Sequence, residues 1–313
     1  MLFMTLPPLL RDRLSLPLIG SPMFIISQPD LVIAQCRSGI VGAFPSLNAR
    51  PAGMFESWLQ QLGEALDESD APFAVNLIVH RTNSRLEEDL ALCVRYRVPL
   101  VITSLGARED VNEAIHSYGG IVLHDVISNV FARKAVEKGA DGLIAVAAGA
   151  GGHAGTLSPF ALIQEIRAWF DGPLALSGSI ATGRAIAAAR MMGADLGYMG
   201  TPFIATQEAN AQAAYKQMIV DGSAQDVVYS DVFTGVLGNY LRPSIVAAGL
   251  DPDALPKAKG MDFASLTGGE KKAWRDVWGA GQGIGAIHKV QPAADFIAGL
   301  KADYRAAVEG FTA

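Results

Sequence analysis

The chain has 313 residues, with 25 Lys+Arg against 31 Asp+Glu for a formal charge of −6, and half of its residues are apolar. Only 18% are charged, below the roughly 25% usual in soluble domains, so the chain can bury a large core and is not disordered. The acidic balance, with no basic run, excludes an electrostatic partnership with nucleic acid or an anionic membrane.

The opening residues 1–13 are apolar but lack a basic stretch and a small-residue cleavage site and contain Pro7-Pro8, so they are not expected to be a secretory signal. Short apolar runs then alternate with longer amphipathic ones. Strands are predicted near 18–23, 40–44, 73–79, 100–104, 121–124, 142–146, 174–177 and 196–200, each apolar on both sides, as buried parallel strands are. Helices are predicted over 29–37, 56–66, 85–95, 108–117, 129–138, 159–169 and 182–192, with Ser128, Ser158 and Thr182 at their N-terminal ends. The two cysteines, Cys36 and Cys93, fall in these helices. They read as buried free thiols, which suits a reducing cytoplasm. The apolar stretch 142–150 is too short to cross a bilayer, which takes about 20 residues.

Eight strand–helix units predict a (β/α)8 TIM barrel over residues 1–208; an open doubly wound sheet shares the rhythm, and the number eight favours closure. After Thr206 the rhythm breaks. Residues 209–281, punctuated by Gly and Pro and carrying Trp274 and Trp278, are expected to form a small, mostly helical subdomain on the substrate side of the barrel. Residues 282–313 are expected to return to the barrel, with one amphipathic helix over 292–308.

In such a barrel, chemistry collects where the strands end. The seventh and eighth strands end in Ser177-Gly178-Ser179 and in Met199-Gly200-Thr201. These small residues either relieve crowding or expose backbone N–H groups to a phosphate. After the sixth strand comes Gly149-Ala150-Gly151-Gly152-His153-Ala154-Gly155-Thr156, a thin loop that lets a flat ligand approach and projects one imidazole over the mouth. With an ordinary pKa near 6.5, His153 can act as base, hydrogen-bond donor or cation. Asn76, ending an apolar third strand, either ties down a loop or meets the edge of a planar cofactor. Pro22, Met23 and Phe24 end the first strand, where Met23 and Phe24 pack on a ring face or on the core. His124 ends the fifth strand beside Asp125, and the glycine string 281–285 is placed to close over the site. No His/Cys/carboxylate spacing suits a metal.

Taken together, Ser21-Pro22-Met23, Ala74-Val75-Asn76-Leu77, Ala150 to Gly155, Ser177-Gly178-Ser179 with Met199 to Phe203, and Ala280 to Gly285 resemble the nitronate monooxygenase family, once called 2-nitropropane dioxygenases, in order and spacing. The resemblance implies FMN at the barrel mouth. Its phosphate would lie on Gly178, Ser179, Gly200 and Thr201, and its ring near Pro22, Met23 and Asn76 with Gly151 close by. Phe24, Ala150, Gly152, Ser177 and Met199 complete the expected cofactor set, and His153 matches the family's active-site histidine. The implied reaction oxidises a nitronate or nitroalkane with O2 to a carbonyl compound and nitrite. Three departures from the family pattern stand out: the apolar run 145–148, Gly178-Ser179 where Gly-Gly is common, and Asp125 where some quinone-reducing relatives carry Lys. An NAD(P)H-dependent FMN reductase of quinones or enoyl thioesters is the alternative enzyme, and a non-catalytic flavin-binding barrel the alternative outside catalysis.

Overall fold

Eight short strands lie parallel in the computed structural model, which describes residues 6–256 and 276–312. In chain order they are β1 (Leu18–Gly20), β2 (Gly42–Pro45), β3 (Phe73–Ile78), β4 (Leu100–Ser104), β5 (Ile121–Val126), β6 (Gly142–Val146), then β8 (Leu174–Ser177) and β9 (Leu196–Met199), with β7 (Gly152–His153) set apart in a second sheet. Neighbours run β1-β9-β8-β6-β5-β4-β3-β2. A parallel bridge between Ile19 and Val41 joins the two ends. There the Gly20 N–H donates to the Val41 carbonyl (2.8 Å) and the Val41 N–H to that of Leu18 (3.1 Å). The cylinder is a (β/α)8 barrel.

The apolar character on both sides of each strand has a direct cause. One set of side chains, including Ile19, Val41, Ala74, Leu100, Leu123 and Ile144, fills the interior, while Val75, Leu77, Val101 and Val122 face the surrounding helices. Leu6 and Leu10 join the interior cluster, so the short helix Pro8–Arg11 that feeds β1 plugs the end opposite the strand C-termini.

Helices Pro29–Arg37, Met54–Ala65, Leu86–Arg95, Glu109–His116, Asn129–Glu137, Pro159–Arg167 and Gly183–Met191 fall close to the predicted ones. Of the three expected caps, only Thr182 makes the bond, its Oγ1 accepting from the Ala185 N–H at 3.0 Å; Ser128 and Ser158 do not. Cys36 and Cys93 are buried free thiols. The helix Ala293–Thr312 returns to the barrel wall and packs against Gly183–Met191, where the Arg184 N–H donates to the Asp303 carboxylate (2.7 Å).

Among its described residues, the segment expected to be mostly helical also carries a two-stranded hairpin between its helices. Helices Ala213–Asp221 and Arg242–Ala247 flank a hairpin of β10 (Val227–Ser230) and β11 (Gly238–Leu241). Its strands have four residues each and no tight Asn-Gly turn between them, so the periodicity signal is weak. The central strand β11 pairs with β7 in the glycine loop, Gly238 opposite His153 and Asn239 opposite Gly152. Trp278 stacks on Tyr215 (4.8 Å, 10°), and Trp274 lies outside the described residues. Among those described, no helix is long and apolar enough to cross a membrane.

Candidate active site

The strand C-termini open into a cavity of about 1110 Å³, at the upper end of what small-molecule sites enclose. Pro22, Met23 and Phe24 reach it from the end of β1, and Asn76 from β3. Ala150, Gly151, Gly152 and His153 reach it from the glycine loop, Ser177, Gly178 and Ser179 from β8, and Gly200 and Thr201 from β9. Met199 does not line it: its side chain is buried in the core around the barrel, and its carbonyl accepts the Ser21 N–H (2.8 Å).

At β8 the backbone takes conformations that L side chains rarely adopt. Gly178 has φ +139° and Ser179 φ +56°, strain of about 1–3 kcal/mol for the serine that other contacts must hold in place. A Cβ on Gly178 would stand 2.7 Å from the Ala148 carbonyl oxygen. One expected phosphate donor is already engaged, since the Ser179 N–H donates to the Gly149 carbonyl (3.2 Å). Thr201 is shared similarly: its Oγ1 accepts the Gly281 N–H (2.8 Å), and its own hydroxyl proton remains to be given. The string 281–285 does close over the loop. Gly149 also accepts the Gln282 N–H (2.9 Å), and a Cβ on Gly151 would meet the Gly281 nitrogen at 2.9 Å.

His153 is held by the hairpin. Its Nε2 lies 3.0 Å from Thr234 Oγ1, and the Thr234 hydroxyl donates to the Val236 carbonyl (3.0 Å). With the hydroxyl proton given to that carbonyl, Thr234 Oγ1 accepts from the Nε2–H tautomer of His153. Burial drives the His153 pKa down to about 4, so the ring is neutral near pH 7. That disfavours a standing cation and leaves the base and donor roles. Thr234→Val is expected to lower kcat/KM by about tenfold while leaving cofactor affinity unchanged, because it loosens the ring without touching the cavity floor; steady-state kinetics beside a binding titration checks this.

Across the ring from β8 and β9, polar groups from β3, β4 and β5 form a chain. Asn76 Nδ2 donates to the Ile102 carbonyl (3.0 Å) and to Ser104 Oγ (2.8 Å), and Ser104 Oγ donates to Asp125 Oδ2 (2.6 Å). Asn76 thus ties strands together and also lines the cavity. His124 Nδ1 lies 2.6 Å from Thr103 Oγ1, and burial lowers its pKa to about 4. Sequence reasoning placed no role on Ser104, Thr234 or Tyr198. Ser104 and Tyr198 sit in apolar strands where alternation hides a lone polar group, and Thr234 acts through a long-range pairing that no local pattern encodes.

A phosphorylated planar cofactor fits these residues: a strained glycine-bearing turn with room for an anion stands on one side, and an unsatisfied buried acceptor, Asp125 Oδ1, on the other. Among the described residues no group of His, Cys, Asp or Glu is arranged to hold a metal.

A (β/α)8 enzyme with its site at the strand C-termini is the class that this fold and cavity define. The nitronate monooxygenase family pattern matches residues 10–303, and the chain belongs to that family of flavin-dependent oxidoreductases. A nitronate monooxygenase of Paraburkholderia phytofirmans is 24% identical over 94% of this chain and 93% of its own length. Among solved structures, a nitroalkane oxidase from Streptomyces ansochromogenes superposes with a TM-score of 0.82 at 22% identity, covering 97% of this chain and 99% of that one. A point mutant of FabK from Thermotoga maritima superposes with a TM-score of 0.81 at 25% identity, covering 97% of this chain and 96% of that one.

Proposed function

We propose that the protein is an FMN-dependent enzyme oxidising nitroalkanes or their nitronates with O2 to a carbonyl compound and nitrite, in a reducing cytoplasm. One observation carries this reading: a neutral imidazole on a thin glycine loop stands over a cavity whose opposite walls suit a phosphate and a polar ring edge. Gly178, Ser179, Gly200 and Thr201 would hold the phosphate. Pro22, Met23, Phe24 and Asn76 would bed the ring, with Ala150, Gly151, Gly152 and Ser177 at backbone distance. When bound, FMN supplies a two-electron acceptor that O2 regenerates.

The neutral His153 ring, held through Nε2 by Thr234, takes the acidic α-proton of a nitroalkane. The resulting imidazolium then faces the nitronate, so the ring that takes the proton also supplies the counter-charge. With a preformed nitronate the proton step is absent and His153 only positions the anion. Segment 209–281 serves the substrate side, through the hairpin that fixes His153. The membership of the family and the likeness to a nitroalkane oxidase support the reaction class. The test is product stoichiometry in air: one nitrite and one carbonyl per nitronate consumed supports the reading, and consumption without nitrite contradicts it.

A further inference from the structure

We propose that Asp125 is the protein's acceptor for the imide edge of the flavin, its Oδ1 taking the N3–H of the isoalloxazine; this rests on the flavin reading above. Asp125 Oδ1 is buried and has no hydrogen-bond partner among the described residues, although Asp125 lines the cavity. An unpaired buried acceptor costs about 1–3 kcal/mol, more when charged, so one held in place by its neighbours calls for a donor that arrives with a ligand.

The neighbours fix which kind of partner it needs. Ser104 Oγ accepts from Asn76 Nδ2, so its one proton points to Asp125 Oδ2. Both ends of that relay are pinned, since Asn76 Nδ2 also donates to the Ile102 carbonyl. The relay delivers a proton toward the carboxylate and leaves Oδ1 as an acceptor. Of the ring-edge atoms of oxidised isoalloxazine, N3 alone carries N–H, and it lies at the end of the ring system away from the dimethylbenzene ring. The Asn76–Ser104–Asp125 chain lies on β3, β4 and β5, across the mouth from the turn proposed for the phosphate on β8.

The charge balance agrees. The groups facing Asp125 are Ser104 of β4, apolar Ile144 of β6, and Tyr198 of β9, with His124 beside it on its own strand. None supplies a cation near pH 7: burial lowers His124 to about 4 and raises Tyr198 well above its ordinary value. Burial also pushes Asp125 up to about 6. The N3–H bond favours the ionised form, so flavin selectivity is present above about pH 6 and is lost as pH falls and Oδ1 takes a proton.

The experiment compares FMN with 3-methyl-FMN on the full-length chain by flavin fluorescence titration, taking the ratio of the two Kd values so that phosphate ionisation cancels. The wild type is expected to bind FMN about tenfold more tightly at pH 8, a ratio that shrinks at pH 5. Asp125→Ala is expected to bring the ratio near one, and Asp125→Asn, of the same shape without an ionisable group, to make it independent of pH. Equal binding of both flavins by the wild type, or a preference that survives Asp125→Ala, overturns the assignment. Failure of the wild type to bind FMN at all overturns the flavin reading, and this assignment with it.

Discussion

His153→Ala is expected to retain FMN and to lose about a thousandfold in kcat/KM toward neutral nitroalkanes, the scale of a removed general base. The loss with a preformed nitronate is expected to be much smaller, because that substrate has already shed its proton. The split follows from charge: burial keeps the ring neutral, and a neutral imidazole held 3.0 Å from Thr234 Oγ1 offers a base to a nitroalkane but no standing cation to a nitronate. The pH dependence follows in sign. The active form is neutral, and burial holds the pKa near 4, so wild-type nitroalkane kcat/KM is limited by His153 only below about pH 4, falling there about tenfold per unit. Parallel assays of a nitroalkane and its aged nitronate check the split. Equal losses on both would remove the base from the mechanism and leave His153 as a positioning group.

Gly178→Val is expected to weaken FMN binding at least about a hundredfold. At φ +139° a β-branched residue is strained, and its Cβ would come within 2.7 Å of the Ala148 carbonyl oxygen, in backbone that has nowhere to go. Strain and overpacking of about 1–3 kcal/mol each push the turn out of shape, and each 1.4 kcal/mol that reaches binding is tenfold. Titration of the full-length variant with FMN measures it, and a far-UV spectrum beside it separates a displaced turn from a lost fold. An unchanged Kd would mean that the phosphate does not lie on this turn.

The barrel was legible because its strands are apolar on both faces, a local pattern with one cause: interior residues such as Ile19 and Leu123 inside, Val75 and Leu77 under helices. The cavity-lining residues were legible for a related reason. Strand ends are fixed by chain order, and a Gly-Gly-His loop or a Gly-Ser turn announces backbone exposure in one glance along the sequence. What stayed hidden depends on partners far away in the chain. Thr234 sits 81 residues beyond His153 and reaches it only because β11 pairs with β7. Asp125 was noticed as a departure, but its role depends on the direction of the Asn76–Ser104 relay, which three separate strands assemble. The Met199 side chain stands away from the cavity because Tyr198 takes the inward position at the end of β9 and its neighbour points to the helices, an alternation that the resemblance does not encode.

The central claim is a flavin at the barrel mouth that takes electrons from a nitronate. Anaerobic titration of the FMN-loaded protein, followed by its visible absorption, puts this most directly. The expected result is bleaching on addition of a nitronate, no comparable bleaching by NADH or NADPH, and recovery of the colour when air is admitted. A preparation that stays colourless after reconstitution with FMN, or one bleached by NAD(P)H and indifferent to nitronates, would contradict it.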